Sequence, residues 1–209
     1  MQPSLSPVFV TGISAPSGGG KTTITKRVTD LLPGSVALFF DDYDGDTVHP
    51  LSFQQWLREG ADYSAWKALR LESDLRCLRN GRSIVHPLTG GTISPQRHVV
   101  FDNPLGYAHP GLAKLIDFMV FIDTPLDIAM ARRLLRDFPQ KSNEHIEDVA
   151  KILRVEMATY LDHGRQAYLE MDRQIKPTCD LVLDGSLPVN ELSHRVVEEI
   201  TLRARQSVH

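Results

Sequence analysis

Lys21, Thr22 and the glycines before them form the densest cluster of chemistry in the chain. The stretch runs Pro7-Val8-Phe9-Val10-Thr11-Gly12-Ile13-Ser14-Ala15-Pro16-Ser17-Gly18-Gly19-Gly20-Lys21-Thr22-Thr23. It reads as a buried strand, a glycine-rich turn and the start of a helix, the order called a P-loop. A loop that wraps a polyphosphate must aim several backbone N–H groups at one point, and glycine allows the conformations this needs. The helix behind it adds unpaired N–H groups and a positive dipole end. Lys21 is expected to reach the β- and γ-phosphates and the Thr22 hydroxyl to hold Mg²⁺. Ala15 stands where the strict pattern has its first glycine and is small enough to serve. Ala15, Ser17, Gly18, Gly19, Gly20, Lys21, Thr22 and Thr23 are therefore the expected triphosphate-contacting set.

Carboxylates and guanidinium groups follow at the ends of other apolar runs. Asp41-Asp42-Tyr43-Asp44-Gly45-Asp46 follows the strand pattern Ser35–Phe40. A carboxylate at the carboxyl end of a strand beside the glycine loop can take a proton from a hydroxyl that attacks the γ-phosphate, the role expected of Asp41. Asp41 and Asp42 could also do no more than cap the next helix. Asp102 ends the run Val99-Val100-Phe101, a position suited to metal binding, or to opening the turn Asn103-Pro104. Arg132, Arg133 and Arg136 recur at helical spacing, so at least two share a face. Such forks neutralise charge on a moving phosphoryl group, or form a solvated basic face.

The elements that must position these groups are legible from periodicity. Helical spacing marks Thr22–Leu32, Leu51–Glu59, Trp66–Arg79, Leu112–Ile116, Leu126–Phe138, Glu144–Met171 and Val189–Arg203. Strand-like runs fall at Ser35–Phe40, Ser83–His86, Val99–Phe101, Phe118–Ile122 and Asp180–Leu183, with a loop expected over Leu88–Gln96. Strands alternating with helices predict an α/β fold of the P-loop NTPase type: three αβα layers, a five-stranded mostly parallel sheet and a helical lid. One domain is expected over 1–209, with a substrate-side insertion at about 50–96 and a lid at about 132–143.

Composition sets bounds. At 209 residues and 42% hydrophobic content the chain can bury one substantial core. A formal net charge of −3 argues against a binder of nucleic-acid polymers, which needs concentrated basic surface. Cys77 and Cys179 lack metal-ligand spacing and read as ordinary reduced thiols. Met1–Ser6 lacks a basic signal-peptide region and no segment has the length of a membrane span. A cytoplasmic protein with no membrane partner is expected; a homo-oligomer stays open.

Taken together, these anchors resemble the uridine kinase and nicotinamide riboside kinase family. They are Gly12-Ile13-Ser14, Ser17–Thr23, Asp41-Asp42-Tyr43, Val99–Asp102, Phe121-Ile122-Asp123-Thr124-Pro125 and Arg132-Arg133-Leu134-Leu135-Arg136-Asp137, in the family's order from about Val8 to Asp184. The resemblance implies an ATP- and Mg²⁺-dependent kinase that moves the γ-phosphoryl group to a hydroxyl of a small molecule, most simply a nucleoside. It implies that Asp41 is base and metal partner, Asp102 a metal partner through the Walker-B-like position, and Arg133 and Arg136 the lid arginines. Lys141 falls where the family carries another basic residue, and Asn143 where nucleoside kinases tend to have arginine. Asp184-Gly185-Ser186-Leu187 falls where the adenine passes. The family's pocket aromatic after the hairpin proline is missing, because Leu88-Thr89-Gly90-Gly91 follows Pro87. Asp42, Tyr43, Asp62, Trp66 and His98 are the expected acceptor contacts, with Trp56, Tyr63 and His86 as further candidates. Tyr160, Arg165 and Tyr168 could also face the cleft. A sugar, sugar phosphate or vitamin precursor as acceptor, or nucleotide binding without transfer, are the alternatives.

Overall fold

The computed structural model describes residues 8–138 and 146–206. The segment Met1–Ser6 and lid positions 139–143, Lys141 and Asn143 among them, lie outside the described residues. Strands β1 (Phe9–Ser14), β2 (Ser35–Phe39), β5 (His98–Asp102), β6 (Phe118–Asp123) and β7 (Leu181–Asp184) form one sheet in the order β2-β5-β1-β6-β7. Every pairing in it is parallel.

The strands lack alternating polar positions because both faces are covered. Val10, Val99, Phe101, Met119 and Phe121 enter one core, whereas Phe9, Ile13, Val100, Phe118, Val120 and Ile122 enter the other. That is the two-residue period of a pleated strand split between two helix layers. On the second face lie α1 (Lys21–Leu31) and α8 (Val189–Gln206), which supply Ile24, Val28, Leu192, Val196 and Ile200. Phe101, Phe118 and Phe121 are fully buried, each contributing about 1.5–3 kcal/mol of transfer free energy.

The first core extends through Trp56 of α2 (Phe53–Arg58), Tyr63 and Trp66 of the segment that follows, and Leu71, Leu75 and Leu78 of α3 (Leu69–Arg79). The expected loop over Leu88–Gln96 contains strand β4 (Thr92–Ile93), paired antiparallel with β3 (Ile84–Val85). Two residues of each strand pair, too few for periodicity to register. Trp66 does not lie on α3 as its spacing suggested; it closes the 3₁₀ turn Tyr63–Ala65. The short α4 (Pro110–Ala113) precedes β6, and α5 (Leu126–Asp137) follows it. Helices α6 (Ile146–Thr159) and α7 (Arg165–Gln174) join through a π-helical turn, Tyr160–Gly164. Among the described residues, no helix is long and apolar enough to cross a membrane.

In a parallel sheet all carboxyl ends share one edge, and the strand order places β1 at the centre. The segments after β1, β2, β5, β6 and β7 therefore converge there, carrying the glycine loop, Asp41, Asp102, Thr124 and Gly185.

Candidate active site

One cleft of about 1080 Å³ opens along this edge. Its lining includes Ala15, Ser17, Gly18, Gly20, Lys21, Thr22 and Thr23 at one end, and Phe53, Trp56, Tyr63 and Trp66 at the other. Gly20 is the N-cap of α1, so the first-turn N–H groups point toward the cleft without helical partners. Gly19 lies beneath the loop, its carbonyl accepting a 2.9 Å hydrogen bond from Thr124 Oγ1.

The Thr22 hydroxyl donates to Asp102 Oδ2 at 2.7 Å. Asp102 is only 4% exposed. Burial pushes its carboxyl above the usual carboxylate range; Lys21 and the Thr22 hydrogen bond pull it back, and the Asp41 and Asp42 charges push it up again. A buried carboxylate beside like charges is an environment that a cation stabilises. The oxygens of Thr22, Asp102 and Asp41 suit Mg²⁺, which binds through few protein ligands and completes its shell with phosphate and water. Among the described residues, no group of three or more His, Cys, Asp or Glu is placed to hold a metal ion. The departure Asn103-Pro104 holds the turn. Asn103 is fully buried, its N–H donates to the Ile13 carbonyl at 2.8 Å, and its Oδ1 accepts from Leu105 N at 3.1 Å.

Asp41 belongs to a 3₁₀ helix, Phe40–Asp46, rather than to an irregular acidic loop. At three residues per turn, side chains at i and i+3 eclipse. Phe40 and Tyr43 form one edge, buried in the core. Asp41 and Asp44 form a second, on the cleft. Asp42 stands on the third, with Oδ2 3.3 Å from His86 Nε2 on the hairpin.

This period corrects one expected acceptor contact. Tyr43 is 1% exposed and donates its hydroxyl to Asp74 at 3.1 Å, with burial the main cause of its raised pKa. Tyr43→Phe is expected to cost about 1 kcal/mol of stability and to leave the acceptor KM unchanged, as paired denaturation and kinetic measurements would read.

Two further expected contacts stand away from the cleft. Asp62 is exposed and caps the turn at Ser64, while its carbonyl accepts from Trp56 Nε1 at 2.9 Å. His98 opens β5 at the opposite edge of the sheet, edge-on to Phe9 with ring centroids 6.4 Å apart. Burial and then Arg97 lower its pKa. Trp66 does line the cleft, its carbonyl held 2.8 Å from Nε2 of buried His109.

The arginine assignment also shifts. Arg133, expected over the phosphates, is committed to Glu156 at 2.6 Å and to Asp137 at 3.4 Å, and it does not line the cleft. Arg132 and Arg136 do line it. Arg132 Nη1 donates to the Gly185 carbonyl at 3.3 Å, beside the segment where adenine was expected. Arg136 pairs with Asp137 at 2.7 Å and lies near enough to Asp41 to feel its charge.

The acceptor end contains groups that the motifs did not single out. His49 meets Trp66 edge-on at 4.8 Å, and Phe53 meets Trp56 at 5.3 Å and Trp66 at 5.6 Å. The π turn brings in His163 and Gly164, and α7 brings in Tyr168, one of the later candidates. Gln54 on α2 hydrogen-bonds Asp162 of that turn, and His163 Nδ1 lies 2.9 Å from the same carboxylate. An extra backbone residue in a helical turn shifts side-chain phase, and no apolar spacing announces it.

No protein-family model matches the chain. It is 25% identical over 191 residues to a uridine kinase of Macrococcus caseolyticus, covering 86% of this chain and 89% of that one. It is 29% identical over 193 residues to a uridine kinase of Shewanella halifaxensis, covering 83% and 86%. Its fold matches the crystal structure of a sugar kinase from a Janibacter species with a TM-score of 0.53, 16% identity and coverage of 92% and 94%. The chain is thus similar to uridine kinases over most of its length and shares the fold of a solved sugar kinase, and it is a phosphotransferase that acts on a hydroxyl group.

Proposed function

We propose that the donor is ATP with Mg²⁺ and that the acceptor is a nucleoside, phosphorylated on the primary hydroxyl of its sugar. The supporting observation is the far wall of the cleft. Phe53, Trp56, Tyr63 and Trp66 offer rings to a planar base, in a cleft continuous with the glycine loop. The arginines of the lining, Arg132 and Arg136, belong to α5, the helix packed against Gly18, rather than to the aromatic wall. A phosphorylated acceptor would need cationic partners in its own pocket. These rings do what the hairpin's missing aromatic would otherwise do.

In this reading Lys21 and the loop N–H groups hold the triphosphate, and Thr22 and Asp102 would hold Mg²⁺, which offsets phosphate charge. Asp41 accepts the proton of the attacking hydroxyl, Arg136 lies over the transferring group, and Arg132 flanks the nucleotide beside Gly185. A cytoplasmic setting, where ATP is at hand, belongs to the same reading.

ADP release measured across a panel of nucleosides, sugars and vitamin precursors tests the proposal. Acceptor-stimulated turnover is expected with at least one nucleoside. Stimulation only by a sugar or vitamin precursor would transfer the reaction to that acceptor, a reading the aromatic-free hairpin favours. ATP binding without stimulation by any acceptor would remove transfer altogether.

A further inference from the structure

The 3₁₀ helix Phe40–Asp46 carries Asp41, Asp42, Asp44 and Asp46, and three of these carboxylates are tied to a basic side chain. Asp42 Oδ2 faces His86 Nε2 at 3.3 Å, Asp44 Oδ1 lies 2.9 Å from His49 Nε2, and Asp46 Oδ2 accepts from Arg70 Nη1 at 2.8 Å. Asp41 alone makes no hydrogen bond or ion pair among the described residues. Runs of 3₁₀ helix beyond three or four residues are uncommon. This one has seven residues and a crowd of like charges, so its shape depends on support from outside.

Arg70 supplies much of that support. It stands on α3, which Leu71, Leu75 and Leu78 fix in the core. While Nη1 donates to Asp46, Nη2 donates to the Val85 carbonyl of β3 at 3.3 Å. Nε lies 3.9 Å from Asp74 Oδ2, the oxygen that accepts from the Tyr43 hydroxyl. One planar guanidinium thus joins α3, the hairpin and the 3₁₀ helix. The hairpin adds a second tie. His86 Nδ1 accepts from Leu88 N at 3.2 Å and Thr89 N at 3.4 Å, which leaves the neutral ring's proton on Nε2, on the side of Asp42. Neither Arg70 nor the hairpin lines the cleft, so both support its wall from behind.

We infer that Arg70, with the hairpin it grips, is a positioning residue for Asp41. It fixes the phase of the 3₁₀ helix, so that the one untied carboxylate meets the attacking hydroxyl. Successive residues of such a helix differ by about 120°, so a slip in phase takes Asp41 off the cleft. Misplacing a reacting group by about 1 Å can cost about a hundredfold in rate, whereas exposed ion pairs contribute little to stability. Loss of Arg70 therefore belongs in the rate and hardly in the melt. The inference rests on the base role given to Asp41 above.

The experiment measures single-turnover transfer from ATP with Mg²⁺ to the fastest acceptor of the panel above. It uses the wild type, Arg70→Ala, Asp41→Asn and the double variant. Arg70→Ala is expected to lower the rate about ten- to a hundredfold, with acceptor KM and nucleotide affinity unchanged. Its melting midpoint is expected to fall by no more than about 4 °C. In the Asp41→Asn background the same change is expected to cost nothing further, because the group it positions can no longer take the proton. Arg70→Lys keeps a charge for Asp46 but has no fork to hold Val85 as well, so it should recover only part of the rate. It carries the test if Arg70→Ala does not fold. Equal fractional losses in the two backgrounds would mark Arg70 as merely structural and overturn the inference. An undiminished rate in Arg70→Ala beside a slow Asp41→Asn would overturn it while leaving Asp41 as the base. A fully active Asp41→Asn, or no turnover with any acceptor, would overturn the base role and this inference together.

Discussion

Asp41→Asn is expected to lower kcat by about a thousandfold while nucleotide affinity is preserved. Proton removal by a positioned base is worth roughly 10²–10⁴ in rate, and Asn keeps the shape and hydrogen-bonding capacity of the side chain but cannot take the proton. Asp41 suits the task by position. It follows the strand two places from the glycine-loop strand, on the cleft edge of its 3₁₀ helix, close enough to Asp102 and Arg136 for its charge to act on both. Asp42 is the natural control. It follows Asp41 directly, yet its carboxylate turns to His86 on the hairpin, so Asp42→Asn should cost far less. The checks are single-turnover transfer for rate and calorimetric titration for nucleotide binding. A loss below tenfold in Asp41→Asn, or an equal loss in Asp42→Asn, would take the base role from Asp41.

The contrast between these neighbours shows where sequence reading reached and where it stopped. The glycine loop was legible because its chemistry demands particular residues at fixed spacing, and the sheet because strands buried on both faces must be continuously apolar. The seven residues Phe40–Asp46 were legible only as acidic. A three-residue period over so short a run is hard to tell from a loop, so Tyr43 was assigned to the pocket and Asp44 was passed over. The signal that could have separated them was the pair Phe40 and Tyr43, both aromatic and three apart.

The choice of Arg133 over Arg132 went astray for a related reason. Adjacent positions on a helix differ by about 100°, so choosing Arg132 or Arg133 requires knowing the helix's phase against the body. In α5, Ala129 is the one buried residue, and one small side chain sets that phase too weakly to read. The aromatic wall was half visible, since Trp56, Tyr63 and Trp66 were candidates by type. What assembles them is tertiary: the Trp56 indole bonded to the Asp62 carbonyl, buried His109 under Trp66, and a π turn that delivers His163 from far along the chain.

Gly18→Ala is expected to destabilise the fold by about 2–5 kcal/mol, and Gly20→Ala by only about 1–2. Both glycines have positive φ, +80° for Gly18 and +101° for Gly20. Any L side chain there carries a similar backbone penalty of about 1–2 kcal/mol. They differ in the space available. A Cβ on Gly20 meets nothing within 4 Å, whereas one on Gly18 would lie 2.1 Å from the Ala129 carbonyl oxygen and 3.1 Å from Arg133 Cβ. The obstacle is helix backbone and cannot rotate aside, so an overpacking cost of about 1–3 kcal/mol adds to the φ penalty. For a chain of this size each kcal/mol moves the thermal midpoint by about 2–4 °C, so the two variants should separate clearly in one melting series. Gly18→Ala should also push α5 away from the loop, shifting Arg132 and Arg136 from the cleft, so residual activity should fall further than nucleotide binding does. Equal midpoints for the two variants would mean that the contact between the loop and α5 is loose, and the arginine placement over the phosphates would lose its footing.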